Sequence, residues 1–388
     1  TGTTDIVYFG STTTRYWKNQ AGNSWSEAGE INNFPQVDSM ANAEVVDLFG
    51  NGTSCLVWSS KRPSQSRKMR YLELTGGIKP YLMIESDNGM GGITKLQYTT
   101  STKYYLRDKL SGHPWITRLP FPVHVLEHVE IHDEVTGSVF TNRYAYHHGY
   151  YDHDEREFRG FGMVEQWDTE KYGDFGYAQS PIGYAQSPVG SNQLTETFVP
   201  PVYVKTWFHT GFFKNRTEIS RQFAEEYFGG DSQAWLLPDT ILPDGLTAIE
   251  AREACRALRG SALRKEVYAQ DGTAREPIPY TVEEKNFDIC MLQGVKTNRH
   301  GVFHITERET LAYQYERDTA DPRIMQSLVL ETDKYGNVLK SAQVAYPRRT
   351  TPTSANLPEQ EKLHILYTEN SFINKTETGG FHLIGAGC

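Results

Sequence analysis

RYAYHHGYYDHDEREFRGFGMVEQWDT, residues 143–169, places two aromatic-rich runs on either side of a charged turn. Val139 to Tyr146 alternates in the way of a strand with one covered face. Tyr144, Tyr146, Phe158, Phe161 and Trp167 supply the packing surface, and aromatic residues favour strands. Between and beside them stand His147, His148, Asp152, His153, Asp154, Glu155, Arg156, Glu157 and Arg159. Imidazoles and carboxylates at this density can hold a transition metal or act as a general acid and base. Their spacing is not that of a His-Glu-x-x-His helix, and strand alternation sends neighbours to opposite faces. Acids and arginines crowded at a turn read instead as an ion-pair network. The expectation is a rigid, aromatic-braced segment with no catalytic residue.

Working outward, the text stays β-like in both directions. Residues 1–60 hold short strands at 5–9, 14–17 and 24–27, then Glu44 to Trp58 as strand, glycine turn and strand. The two segments ending in DIVY and CLVW are spaced like blades of a β-propeller, so 1–60 is read as the last blades of an incomplete one. Its turn keeps Asp47 and Asn51 of a calcium-type loop. Phe49 and Cys55 stand where further oxygen ligands belong, and calcium takes six or more oxygens, so a metal-free turn is expected. Residues 61–70 are basic and polar and read as a linker; 71–172 read as long antiparallel strands. GYAQSP occurs at 176–181 and again at 183–188, which marks 173–192 as a loop. Residues 193–272 read as a strand plus a helical insertion, with helices over Glu218–Phe228 and Thr247–Val267. Thr247 and Glu250 form a capping-box pattern at the second. Strands resume at Tyr280 and fill 273–388.

Composition narrows the function classes. A net charge of −9 offers no attraction to phosphate backbones, so no nucleic-acid partner is expected. No apolar run reaches the roughly 18 residues of a membrane-spanning helix, so direct membrane insertion is not expected either. Cys55, Cys255, Cys290 and Cys388 are far apart and form no zinc pattern. Asn88 to Gly92 is glycine-rich but lacks the Lys-Ser/Thr of a phosphate cradle, and no other cofactor motif is present. His300 and His304 are four apart, but Val302 to Thr306 alternates as a strand and directs them to different surroundings. No export signal opens the chain, and the chain is expected to be an internal piece of a longer product.

Several long stretches together resemble the B component of the insecticidal toxin complexes. They are DLFGNGTSCLVWSS at 47–60, which includes Trp58, YLELTGGIKPYLM at 71–83, STKYYLRD at 101–108 and PWITRLPFPVHVLEHVE at 114–130. The opening stretch at 143–169, ALRGSALRKEVYAQDG at 257–272, YTVEEKNF at 280–287 and the run 313–349 continue the likeness. Within the last, Asp333 to Val338, with Tyr335 and Gly336, is similar to one YD/Rhs-type unit. The resemblance implies a non-catalytic carrier made in the cytoplasm and acting outside the cell. It implies a propeller docked on a channel-forming A component. It also implies a hollow Rhs/YD-type shell, built with the effector-bearing C component, that encloses the toxic effector. The fold expected is mainly β, with partial blades, long antiparallel shell strands and a small helical insertion. Three alternatives stand beside it. One is the N-terminal region of a plasmid-virulence-type toxin lacking its ADP-ribosyltransferase domain, and another is a propeller-based glycan-binding adhesin. The third is a polysaccharide hydrolase using two of Asp152, Asp154, Glu155 and Glu157.

Overall fold

A computed structural model of the chain describes residues 3–10, 12–32, 34–63, 65–169, 201–296, 298–349, 357–376, 380 and 382–387. The GYAQSP duplication and Cys388 lie outside these. The chain forms two compact units. Among the described residues, one is built from those up to Leu106 with Pro120–Val139, the other from Arg107–Leu119 with those from Phe140 onward.

In the first unit β1 (Ile6–Phe9), β2 (Thr14–Trp17) and β3 (Gly29–Ile31) make one antiparallel sheet. The strand expected over 24–27 is absent. Trp25 makes a single bridge to Asn19, because the turn between them uses its backbone groups locally, Gln20 N–H on Ser24 and Ser26 N–H on Lys18. β4 (Ala41–Val46), β5 (Cys55–Ser60) and β6 (Met69–Glu73) make a second sheet with β5 at its centre. Met69 and Arg70, the last residues of the expected linker, already pair with Ser59 and Trp58. Trp58 is buried, and its indole N–H donates to the Gln36 carbonyl at 3.0 Å. β7 (Glu85–Asp87), β8 (Gly92–Thr100) and β9 (His124–Asp133) pair in that order. β8 runs directly into α1 (Ser101–Leu110), a helix where strand had been expected; Arg107 and Lys109 in its last turn suit the negative end of the helix dipole.

The second unit is dominated by one antiparallel ladder whose strands follow each other in chain order. These are β10 (Ser138–Asp152), β11 (Glu157–Thr169) and β12 (Val202–Phe208), then, after α2 (Ala248–Ala257), β13 (Ala262–Ala269), β14 (Thr281–Gln293) and β15 (Val302–Gln314). β16 (Arg323–Thr332), β17 (Val338–Ala345) and β18 (His364–Glu369) complete the order, and β19 (Phe372–Thr376) pairs with β20 (His382–Gly387) in a separate hairpin. The longest strands have 13 to 15 residues, about 45 to 50 Å of extended chain.

Between β12 and β13 the chain leaves the ladder and returns, and the insertion packs onto it. Ile219, Phe223, Leu242, Ala251, Ala254, Cys255 and Leu258 meet Met163, Trp207, Leu263, Phe287 and Ile289 in one core. Leu237 packs with Val282, Leu311, Tyr313, Tyr315 and Ile324 in another. Two helix expectations are corrected here. The helix from Thr247 ends at Ala257 and not at Val267, because Gly260, at φ +84°, turns the chain back beside β12. Its N–H bonds the His209 carbonyl, and residues from Ala262 join the ladder. Glu218–Phe228 holds only one 3-10 turn, Ala224–Glu226. Side chains there replace helical bonds: Asp239 accepts from the N–H groups of Ile219 and Ser220, and Arg221 donates to the Leu236 and Leu237 carbonyls.

Candidate functional site

The β10–β11 hairpin is the densest concentration of polar chemistry and holds most of the residues singled out in the sequence. At its tip Asp152 is buried and accepts from the N–H groups of Asp154 and Glu155 at 3.0 and 3.1 Å. Arg159, equally buried, reaches it at 3.0 Å, and Arg252 of α2 bridges to Asp152 at 3.6 Å and to Asp154 at 2.5 Å. Burial pushes the Asp152 carboxyl up, but the Glu155 N–H and the two guanidinium charges outweigh it and hold it below the usual range. Arg259 pairs with Glu157, and Arg156 occupies the left-handed region, φ +55°, at the turn. Of the four candidate carboxylates of a hydrolase pair, Asp152, Asp154 and Glu157 are committed to arginine, and Glu155 lies 3.9 Å from His300. The adjoining cavity is only about 220 Å³.

Higher along the hairpin aromatic rings take over. Phe161 lies 5.0 Å from Tyr146, 5.5 Å from Phe158 and 6.2 Å from Trp115. Trp167 is stacked on Tyr203 of β12, with centroids 5.0 Å apart and planes within 12°, and the Arg143 guanidinium lies 5.1 Å from its ring centre. Burial, with Asp168 close by, raises the Tyr144 hydroxyl above the ordinary tyrosine value.

The same covered face continues across β13 and β14, where the sequence reading had singled out no site residue. Arg264 and Glu266 of β13 and Glu284 of β14 are all buried; Arg264 bonds Glu266 at 2.7 Å and Glu284 at 2.9 Å. The same carboxylates hold the insertion: Phe228 N–H donates to Glu266 Oε1, which Arg264 shares, and Leu237 N–H to the Glu284 oxygen that Arg264 leaves, both at 2.9 Å. Tyr268 donates to Glu266, and the Arg264 guanidinium lies 4.6 Å from the Tyr227 ring centre. The signal that could have found them is the run Arg264, Glu266, Tyr268, three polar or amphipathic residues on one strand face beside apolar Leu263 and Val267.

The other singled-out positions are separate. Asp47 accepts from the N–H groups of Asn51 and Gly52, and Asn51 accepts from Thr53, so the calcium-type turn satisfies its own oxygens. Glu155, Glu253 and His300 come together, but Arg256 already supplies the cation, 3.0 Å from His300 Nδ1 and 3.2 Å from Glu253. His304 is elsewhere, its Nε2 against Gly336. In the β16–β17 turn, Asp333 accepts from the N–H groups of Tyr335 and Asn337 and from the Asn337 and Asn374 amides. These bonds, that of the Asn337 amide foremost, bring its carboxyl down to about 2.

Long strands in chain order, one face covered by an insertion, and polar groups committed to one another define a mainly β antiparallel scaffold. Residues 2–179 match the model for the insecticide toxin TcdB middle/N-terminal region, and residues 253–385 match that for the TcdB middle/C-terminal region. The chain belongs to the insecticide toxin TcdB family. It is similar to solved chains of TcdB2-TccC3-TEV (28% identity, TM-score 0.78) and TcdB2-TccC3-Cdc42 (27%, 0.80). It is also similar to a chain of the Photorhabdus luminescens Tc holotoxin pore carrying a mutated TccC3 (27%, 0.78). In each case 99% of this chain is covered, and the chain spans 18% of the matched one. No curated protein matches it.

Proposed function

We propose that this chain is part of the wall of a non-catalytic toxin carrier. In this reading the β10–β18 ladder belongs to a hollow Rhs/YD-type shell shared with an effector-bearing C component, and the Asp333–Asn337 turn is one YD-type unit. The small sheets of residues 1–60 are blades of a propeller that docks on a channel-forming A component, and the complex acts outside the cell. The observation that carries it is the commitment of the buried acids of the hairpin and of β13–β14 to arginine or backbone partners, in a fold shared along 99% of the chain with TcdB2-TccC3. Such a surface braces, its buried acids taken up in structural bonds.

The test is protease protection of the effector in the complex assembled from the full-length carrier and the C component. Wild-type carrier is expected to leave the effector intact, and Arg264→Ala, which strands two buried glutamates, is expected to open the wall and expose it. An effector digested equally with or without the carrier would sink the reading.

A further inference from the structure

His147, in β10, has a carboxylate at each ring nitrogen. Nδ1 lies 2.6 Å from Asp108 Oδ2, and Nε2 lies 3.1 Å from Glu165 Oε2. Asp108 is in the last turn of α1 and Glu165 is in β11, so one ring ties a helix end to two strands. A neutral imidazole has one N–H and one lone pair, and would point that lone pair at a carboxylate. Both bonds are satisfied only by the imidazolium.

The adjacent His148 makes the contrast. Its Nδ1 accepts the Ile116 N–H at 3.2 Å while its Nε2 lies 2.7 Å from Glu226, an arrangement the neutral ring fulfils. Other charged or titratable groups also face His147 and its partners. Arg107 of α1 lies 3.4 Å from its Nε2 and 3.7 Å from Glu165. Tyr203 of β12 donates to Glu165, Lys205 of β12 acts on Glu165, and Glu226 of the insertion feels the His147 charge. Trp115 donates to the same oxygen, Asp108 Oδ2, at 2.7 Å, and Arg107 Nε lies 3.4 Å from Asp108 Oδ1.

We propose that His147 is a charge-dependent latch: as the imidazolium it holds the Arg107–Leu119 segment on β10 and β11, and loss of its proton in alkaline solution releases that segment. Burial opposes the charge, but the bonds to Asp108 and Glu165 outweigh it and raise His147 to about 9. Because the folded value is the raised one, the tie is complete below the ordinary histidine value of about 6.5 and fades as pH climbs through about 9. Asp108 and Glu165, both held below their usual range with His147 as the chief counterweight to burial, stay ionised throughout, and once the ring is neutral it can donate to only one of them.

Hydrogen exchange read by mass spectrometry on the full-length protein tests this, with rates corrected for the chemical effect of pH. Between about pH 7 and pH 10 the peptide covering residues 107–119 is expected to lose about tenfold or more in protection while those of β14 and β15 keep theirs. His147→Gln should leave that peptide exposed at pH 7 with no further response to pH. Glu165→Gln, which keeps a hydrogen-bond acceptor but removes one negative charge, should move the transition down by about one pH unit. Full protection of 107–119 in the wild type at pH 10 overturns the latch, as does an unchanged transition in Glu165→Gln. Should His147→Gln lose protection everywhere, the Glu165→Gln shift decides.

Discussion

Trp167 shows how much one side chain carries in this sheet. It is buried, stacked on Tyr203, with Arg143 beside its ring. Trp167→Ala leaves a ring-sized void between two strands that cannot close without breaking their pairing, and is expected to cost about 3–5 kcal/mol. A urea titration of the full-length protein with an unshifted midpoint would contradict that. Gly336 is the opposite case, where the absence of a side chain matters. Its φ is +85°, and a Cβ there would lie 2.5 Å from His304 Nε2. Gly336→Ala is therefore expected to destabilise by more than about 1 kcal/mol, whereas Gly112→Ala, with the same sign of φ and open space around it, pays only the backbone cost. Unfolding of the two variants side by side separates clash from strain. At this scale the sequence was readable where a residue type has one strong preference. Tyr146, Phe161, Trp167 and Gly336 fall in that group. Arg264, Glu266 and Glu284 were not readable, since a charged residue is ordinarily on the surface and only its partners, two on one strand and one on the next, make burial tolerable.

Among the elements, α2 is the clearest case of local rules and tertiary demand meeting. Thr247 and Glu250 form a reciprocal capping box, as their spacing predicted, and Glu250 also accepts the Val295 N–H. Thr247→Ala is expected to lower stability by about 1 kcal/mol, with Thr247→Ser close to wild type; thermal melts of the two variants check it. The start of α2 was legible because a cap is local chemistry. Its end was not, because Ala262–Ala269 has enough helix formers to extend the pattern, and only pairing to β12 and β14 makes it a strand. α1 was missed for the mirror reason: STKYYLRDKL carries β-branched and aromatic residues and a weak apolar stripe.

For the molecule as a whole, the decisive features are its edges. β18 has one strand neighbour among the described residues, and Ile365, Leu366 and Tyr367 are 63%, 61% and 51% exposed on it. An apolar strand with an open hydrogen-bonding side is a template for further pairing. The 388-residue chain by itself is expected to self-associate at micromolar concentration, and Leu366→Lys to reduce this; light scattering that reports a monodisperse monomer for the unmutated chain would refute it. The β-rich class and the long hairpin were legible from alternation and turn residues, whereas the return of the insertion onto the ladder depends on contacts such as Arg349 with Asp231, 118 positions apart.

The chain-order succession of β10 to β18 also bears on how such a protein is made. Each new strand finds its neighbour in the strand made before it, so the ladder can be laid down as synthesis proceeds. Most pairings close over a nearby turn, the long connections being those between β11 and β12 and between β12 and β13, which keeps the contact order of the ladder low for a β fold.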